Sequence, residues 1–343
     1  LNDSNETKVL VTGASGLVGR RVAGDLIERG YRVTAVVRSD AHRQELESLG
    51  AECVSGDLAD PRSLDAPLRN ANIIVHCAAH IGDWGPAEKY RAINVVALEH
   101  LLGVVQASDQ FRRWIQVSSL GVYAARHHYG TDETTPPSLT GLDGYTKTKA
   151  EAEVLINDHI DRHRLPAVIV RPGFIYGPGE RHSVPRIIEK FNAGKMKFIG
   201  RGDKLLNNTY VGNLSDAILL AMENPAALGE TFNIRDQRLV TREEYINTIA
   251  DYLGKPHPKH VPEWVARTLV GPIETFAKLT GAQEAPLLTG ARIKFMTLNL
   301  DFSIAKAKRV LGYKPRVDFR DGMRETLEAA TAGISSPSPE ATN

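Results

Sequence analysis

Of the ten tyrosines in the chain, only Tyr145 has a lysine four residues on, at Lys149. On a helix, residues at that spacing share a face, so the ammonium lies near the phenol. An isolated tyrosine titrates near ~10 and is a poor base at neutral pH. A neighbouring cation stabilises the phenolate and makes the pair a usable general acid/base. Upstream, Val117-Ser118-Ser119-Leu120-Gly121-Val122-Tyr123 sets two hydroxyls at the end of an apolar run. A hydroxyl there can hydrogen-bond a substrate oxygen as its charge changes. Taken singly, Tyr-x-x-x-Lys is also a common solvated pair, and paired serines are ordinary turn residues. The order of the segments carries the weight.

A second chemical signal stands near the N-terminus, in Thr12-Gly13-Ala14-Ser15-Gly16-Leu17-Val18-Gly19. It follows a β-branched run and precedes a helical one. Glycine there permits a tight turn and close approach of the backbone to a pyrophosphate, and the opening helix directs free amides and its positive dipole end at that anion. Gly13, Ser15, Gly16, Leu17, Val18 and Gly19 are the expected contacts. Nineteen residues past Gly19, Arg38 ends the second apolar run. A carboxylate there would take the ribose hydroxyls of NAD, and an arginine the 2′-phosphate of NADP. A guanidinium suits a phosphate dianion by charge and fork geometry, so NADP(H) is favoured, with NAD(H) the alternative.

These groups need a scaffold. Lys8–Thr12, Tyr31–Val37, Ala51–Ser55, Asn72–Cys77, Arg113–Ser118 and Ala167–Arg171 read as strands. Most are nearly continuous apolar runs, as strands buried on both faces are. Between them Val18–Arg29, Ala41–Leu49, Arg62–Arg69, Pro86–Ala107 and Gly144–Arg162 read as helices. The alternation predicts an α/β fold, a doubly wound parallel sheet of Rossmann type with its ligand crevice at the strands' carboxyl ends. Pro172–His182 reads as a Gly/Pro-rich turn region, followed by a helix near Val184–Ala193, strands at Asn208–Val211 and Thr231–Ile234, and a mainly helical remainder. The expected organisation is a flexible residue stretch 1–7, a dinucleotide-binding domain over 8–175, a smaller substrate lobe over 176–332 interleaved with the last sheet strands, and a disordered tail over 333–343.

The glycine spacing is GxxGxxG, and with the strand-end serines, Tyr145 and Lys149 on the next helix, and then Arg171-Pro172-Gly173, it resembles the extended short-chain dehydrogenase/reductases from Val9 to about Ala330. The resemblance implies that Ser119, in preference to Ser118, is the catalytic serine, Tyr145 the acid/base and Lys149 its partner and a ribose ligand. It further implies that Asp57 and Leu58 hold the adenine and that Ala78 and Ala79 let the cofactor pass. Pro172, Gly173, Phe174 and Ile175 would meet the nicotinamide carboxamide. Asn94 matches a helix asparagine of the family, in a structural or a proton-relay role. Ser118–Tyr123, Arg171–Gly179 and the closing Leu300-Asp301-Phe302-Ser303 look most like the 3β-hydroxysteroid dehydrogenase group. Nucleotide-sugar epimerases share the catalytic core but usually carry an Arg-Asp pair where this chain has Leu206-Asn207.

Composition limits the alternatives. With 42 basic and 41 acidic residues among 343, the formal charge is +1, which implies neither a nucleic-acid nor an anionic-membrane surface. Two cysteines, Cys53 and Cys77, make no disulfide framework or zinc pattern, so a reducing cytoplasm is expected. Apolar runs are too short or too charged to span a bilayer. His127 and His128 are adjacent and no HExxH occurs, so no metal site is expected. Pro86–Ala107 carries more apolar residues than one face needs (Val95, Val96, Leu98, Leu101 and Leu102); they either cover the sheet or, as the resemblance implies, form a homodimer's four-helix bundle with the Tyr145 helix. Trp84, Tyr123, Phe174, Ile175 and Tyr176, with Trp264 as a cap, would wall an apolar pocket. The expected activity is NADP(H)-dependent ketone–alcohol interconversion on a largely apolar substrate. The rivals are a nucleotide-sugar epimerase or dehydratase with tightly bound NAD, and a non-catalytic cofactor sensor.

Overall fold

The computed structural model describes residues 6–82, 84–280 and 289–335. Seven strands form one sheet: β1 (Lys8–Thr12), β2 (Arg32–Val37), β3 (Glu52–Ser55), β4 (Ile73–His76), β5 (Arg113–Val117), β6 (Ala167–Pro172) and β7 (Thr231–Ile234). Their spatial order is β7-β6-β5-β4-β1-β2-β3, and every neighbouring pair is parallel. The chain leaves β1 toward β2 and β3, then returns to the other side of β1 as β4. That reversal opens a crevice beyond the carboxyl ends of β1 and β4.

Side-chain alternation builds a core on each face. Val9 and Val11 face one way, against Val22 and Leu26 of helix Leu17–Glu28 and Leu214 and Ile218 of helix Val211–Glu223. Leu10 and Ile74 face the other, against Leu98, Leu101 and Leu102 of helix Ala97–Gln106 and Ile156 of helix Gly144–His163. This doubly wound, Rossmann-type sheet has the expected class. The segment expected as a single helix over Pro86–Ala107 is instead helical from Ala87 to Gln106, with a π-helical stretch at Ala92–Val96. Four of its five surplus apolar residues are buried inside the chain, and Val96 remains 49% exposed.

The second lobe holds more strand than its composition suggested. Phe174–Tyr176, read as part of a turn region, pairs in parallel with Asn208–Tyr210. Leu205–Leu206 pairs with Val240–Thr241, Lys197–Ile199 with Lys259–Val261, and His128–Thr131 with Leu300–Phe302. Each is two to four residues long, below the length at which alternation can be read. Thr7 is buried and its carbonyl accepts from Arg32 N, so it belongs to the fold and not to a flexible leader. Helix Phe319–Ser335 runs past Gly333, which makes residues 333–335 helical; the remainder of the expected tail, like residues 1–5, lies outside the described residues. No helix among the described residues is long and apolar enough to cross a membrane.

One ion pair joins the Tyr145 helix to the sheet. Glu153 is 0% and Arg171 is 4% exposed. Arg171 Nε donates to both carboxylate oxygens at 2.9 and 3.0 Å, and its Nη2 donates to Oε2. Burial lowers the guanidinium's affinity for its proton, and the Glu153 charge more than restores it, leaving Arg171 above its ordinary value. Removing one member of such a pair strands the other charge in a dry interior. Glu153→Gln is expected to lower unfolding stability by about 3–5 kcal/mol, read from denaturant midpoints. Asp216→Asn, which breaks an exposed pair with Arg316, is expected to cost about 1 kcal/mol or less. Equal losses would show that the Glu153 pair carries no special share of stability.

Candidate active site

Glycine geometry decides the floor of the crevice. Gly13 has φ 68°, and a Cβ there would lie 2.7 Å from Ala78 N; a Cβ on Gly19 would lie 2.3 Å from Gly13 O. The loop can therefore pack onto the exit of β4 only with glycine at both positions. Helix Leu17–Glu28 starts at Gly16 with no side-chain cap, which leaves its first-turn amides to a ligand. A cavity of about 1240 Å³ runs from this loop across the sheet end into the second lobe. Gly13, Ser15, Gly16, Leu17, Val18 and Gly19 line one end, with Arg38, Asp57, Leu58, Ala78 and Ala79 beside them. A cradle without room for Cβ atoms, an uncapped helix start and a cation at the β2 end fit a dinucleotide. Among the described residues Arg38 has no side-chain partner.

Ser119, Tyr145 and Lys149 meet at the middle of the cavity. Helix Gly144–His163 is started by a capping box, in which Asp143 Oδ1 accepts from Thr146 N at 2.8 Å and Thr146 Oγ1 accepts from Asp143 N at 3.1 Å. This places Tyr145 in the first turn. Burial pushes its hydroxyl up to about 12, opposed by a hydrogen bond with Ser119. Ser119 Oγ also accepts from Gly121 N at 3.0 Å. Ser118, on the other side of the chain, donates to Glu153 Oε1 and so buttresses the ion pair. Lys149 Nζ donates to Val117 O at 2.7 Å and lies 5.9 Å from the Tyr145 ring centre. Burial lowers it to about 8, with Cys77 and Glu153 opposing.

Asn94 sits within the π-helical stretch. Its Oδ1 accepts from His80 N at 2.7 Å, and its Nδ2 donates to His80 O at 3.1 Å and Thr148 Oγ1 at 3.0 Å. The side chain thus ties the loop after β4 to the Tyr145 helix, the arrangement of a structural clasp. The extra residue of the π turn is what aims it there.

Beyond Tyr145 the cavity is walled by Leu120, Phe174, Ile175, Phe295, Leu300 and Phe302. Tyr123 stacks on Phe302 with ring centres 5.1 Å apart, and its hydroxyl donates to Asn233 Oδ1 at 2.9 Å while accepting from Arg171. Gly173 lines the cavity, and a Cβ there would lie 1.9 Å from Asn207 O. Pro172 closes β6 and does not itself reach the lining. Three of the aromatics expected in the wall are elsewhere. Tyr176 is buried behind it, donating to Asp236 Oδ2 at 2.8 Å. Trp84 is outside the lining, its carbonyl accepting from Tyr90. Trp264 is 69% exposed and caps nothing. His128 is a buried structural residue, bonded to Thr131 Oγ1 and Ala124 O. The sequence reading missed Phe295, Leu298, Arg292 and the inward side of Leu300–Phe302. The alternation Leu-Asp-Phe was the available signal, too short to use.

The NAD dependent epimerase/dehydratase family model matches residues 9–234. A 2-alkyl-3-oxoalkanoate reductase of Shewanella oneidensis is 31% identical over 327 residues, 92% of this chain and 84% of that one. A 3β-hydroxysteroid dehydrogenase/Δ5→4-isomerase of Mycobacterium tuberculosis is 30% identical over 346 residues, 93% of this chain and 89% of that one. The crystal structure of UDP-glucuronic acid 4-epimerase from Bacillus cereus, in complex with UDP-glucuronic acid and NAD, superposes with a TM-score of 0.76 at 22% identity, covering 95% of this chain and 99% of that one. That likeness is one of fold. The chain belongs to the NAD dependent epimerase/dehydratase family, the extended short-chain dehydrogenase/reductases, and within it to the 3β-hydroxysteroid dehydrogenase-like group.

Proposed function

We propose that this enzyme uses NADP(H) to interconvert a ketone and a secondary alcohol on a largely apolar substrate. The observation that carries the reading is the position of Tyr145, which lines the cavity with Ser119 and Lys149 where a glycine-floored groove meets an apolar recess. Ketone–alcohol chemistry is also what the Shewanella reductase and the mycobacterial dehydrogenase are named for. The bound cofactor supplies or accepts the hydride. In reduction, Tyr145 donates its proton to the carbonyl oxygen while Ser119 hydrogen-bonds the same atom as negative charge builds on it. Lys149, anchored on Val117 O, stabilises the phenolate left behind. Oxidation reverses each transfer.

Gly13, Ser15, Gly16, Leu17, Val18 and Gly19 would hold the pyrophosphate, Arg38 the 2′-phosphate, and Asp57 and Leu58 the adenine. Ala78 and Ala79 would leave room for the cofactor, with Gly173, Phe174 and Ile175 at the nicotinamide. Tyr145 and Lys149, which line the cavity, would hold its ribose. Exposed Val96 and Val154, on neighbouring helices, support a homodimer through that face, and two free thiols suit the cytoplasm. The second reading is a nucleotide-sugar epimerase or dehydratase holding NAD, favoured by the fold shared with the Bacillus enzyme. Leu206-Asn207 in place of the Arg-Asp pair, and so the loss of its arginine, weighs against it. A sensor without turnover would not require the Tyr145–Lys149 pair.

Three outcomes are expected. Tyr145→Phe should lower turnover by roughly 10²–10⁴-fold while leaving dinucleotide affinity unchanged, since it deletes one hydroxyl. Near wild-type turnover, with chemistry limiting, would remove Tyr145 from its role. Wild type should bind NADPH more tightly than NADH by about tenfold or more, and Arg38→Asp should reverse the order; equal affinities unchanged in the variant would leave Arg38 a solvated side chain. With NADPH, steroid, terpenoid and long-chain ketones should turn over. Turnover confined to nucleotide sugars would promote the epimerase reading.

A further inference from the structure

The cofactor end of the cavity receives a strap from the other lobe. After Phe174–Tyr176 the chain turns through Gly177 and Gly179, both at positive φ (150° and 87°), and crosses the start of helix Leu17–Glu28. The crossing is close: a Cβ on Gly179 would lie 1.8 Å from the Arg20 guanidinium. The strap is also held from its far side. Glu180 also lines the cavity, and its carboxylate accepts from the amides of His182, Ser183 and Val184 at 2.6, 2.8 and 2.8 Å, which engages it at the start of helix Ser183–Asn192. Arg181, the next residue along, lines the cavity.

Two arginines besides Arg38 line this end, Arg20 and Arg181, with the His42 imidazole beside them. Glu45, on the helix that follows β2, is bonded to Arg20 Nη1. Its carboxylate is held below the ordinary range by that bond, against the effect of burial, and further by the charges of Arg20, Arg181 and His42. One carboxylate thus faces two arginines that come from different lobes, with the unpartnered Arg38 beside them. Three arginines therefore stand where the glycine loop would receive phosphate, against the carboxylates of Glu45, Asp57 and Glu180, the last of them engaged by three backbone amides.

We propose that Arg181, delivered by the substrate lobe, binds a phosphate group of the dinucleotide together with Arg20, and that Glu45 is the counter-ion that keeps both guanidiniums at the groove. This rests on the dinucleotide reading of the cavity. Because Glu180 and the two glycines fix the strap, Arg181 reaches the phosphate with little ordering still to be done. Cofactor binding then links the lobes, with one cation from each on the same anion.

The test is a titration of NADPH and of NADH into the full chain, followed by nicotinamide fluorescence. Arg181→Gln is expected to raise the Kd by about tenfold or more, the usual effect of deleting a charged hydrogen bond. Arg181→Lys should recover part of the loss. Arg186→Gln, on the adjoining helix and outside the lining, should leave both affinities unchanged. Equal loss for the two cofactors places Arg181 on the diphosphate; loss for NADPH alone places it on the 2′-phosphate. Wild-type affinity in Arg181→Gln, or an equal loss in Arg186→Gln, would overturn the assignment. Failure of the wild-type chain to bind either dinucleotide would overturn the cofactor reading itself.

Discussion

A carboxylate with no solvent contact organises this protein. Glu153 lies four residues beyond Lys149 and eight beyond Tyr145, on the same face of one helix. Its two oxygens take the Arg171 fork from β6 and the Ser118 hydroxyl from the end of β5. The same guanidinium reaches Tyr123, and Tyr123 reaches Asn233 on β7. Three adjacent strands and the Tyr145 helix are therefore pinned to one buried charge pair. Such pairs add little net stability over apolar packing, yet breaking one is costly. What the pair supplies is position: the helix has one depth and one rotation at which all these bonds are made, and that setting brings Tyr145 against Ser119.

The serines show how that constraint separates roles. Successive residues leaving a strand point to opposite sides. Ser118 turns inward to Glu153 and Ser119 turns toward Tyr145. A dry setting then raises the tyrosine and lowers the lysine, which keeps a neutral phenol beside an ammonium that gives up its proton more readily than an exposed one would. Val117 O holds that ammonium at the sheet end.

A second buried carboxylate does similar work for the other lobe. Asp236 accepts from Tyr176, Asn208, Asn213 and the amide of Tyr210. Burial raises its affinity for a proton, and these donors oppose it. Asn213 also donates to Val317 O, so the short ladder Phe174–Tyr176 with Asn208–Tyr210, helix Val211–Glu223 and the entry to the last helix share one anchor. Phe174 and Tyr176 share one side of that strand and both pack on Tyr245, while Ile175 points the other way against the sheet core.

The central sheet, the glycine loop and the Tyr145–Lys149 pair were legible in the sequence because each is local: nearly continuous apolar runs, period-3.6 patterns, a Tyr-x-x-x-Lys spacing, and glycines set between a strand and a helix. Gly13 and Gly19 illustrate this, since backbone contact alone demands them. What only tertiary structure decided involves partners far apart in the chain. Arg171 was legible only as the end of a strand and Glu153 not at all, because their pairing depends on packing that excludes water from both. The recess depends on Leu300–Phe302 pairing with His128–Thr131, about 170 residues away and too short for periodicity to mark. Trp264 and Tyr176 were aromatic in the right neighbourhood, and burial sent one to solvent and the other behind the wall. Residue type and spacing determined which chemistry was available; long-range packing determined which groups face it.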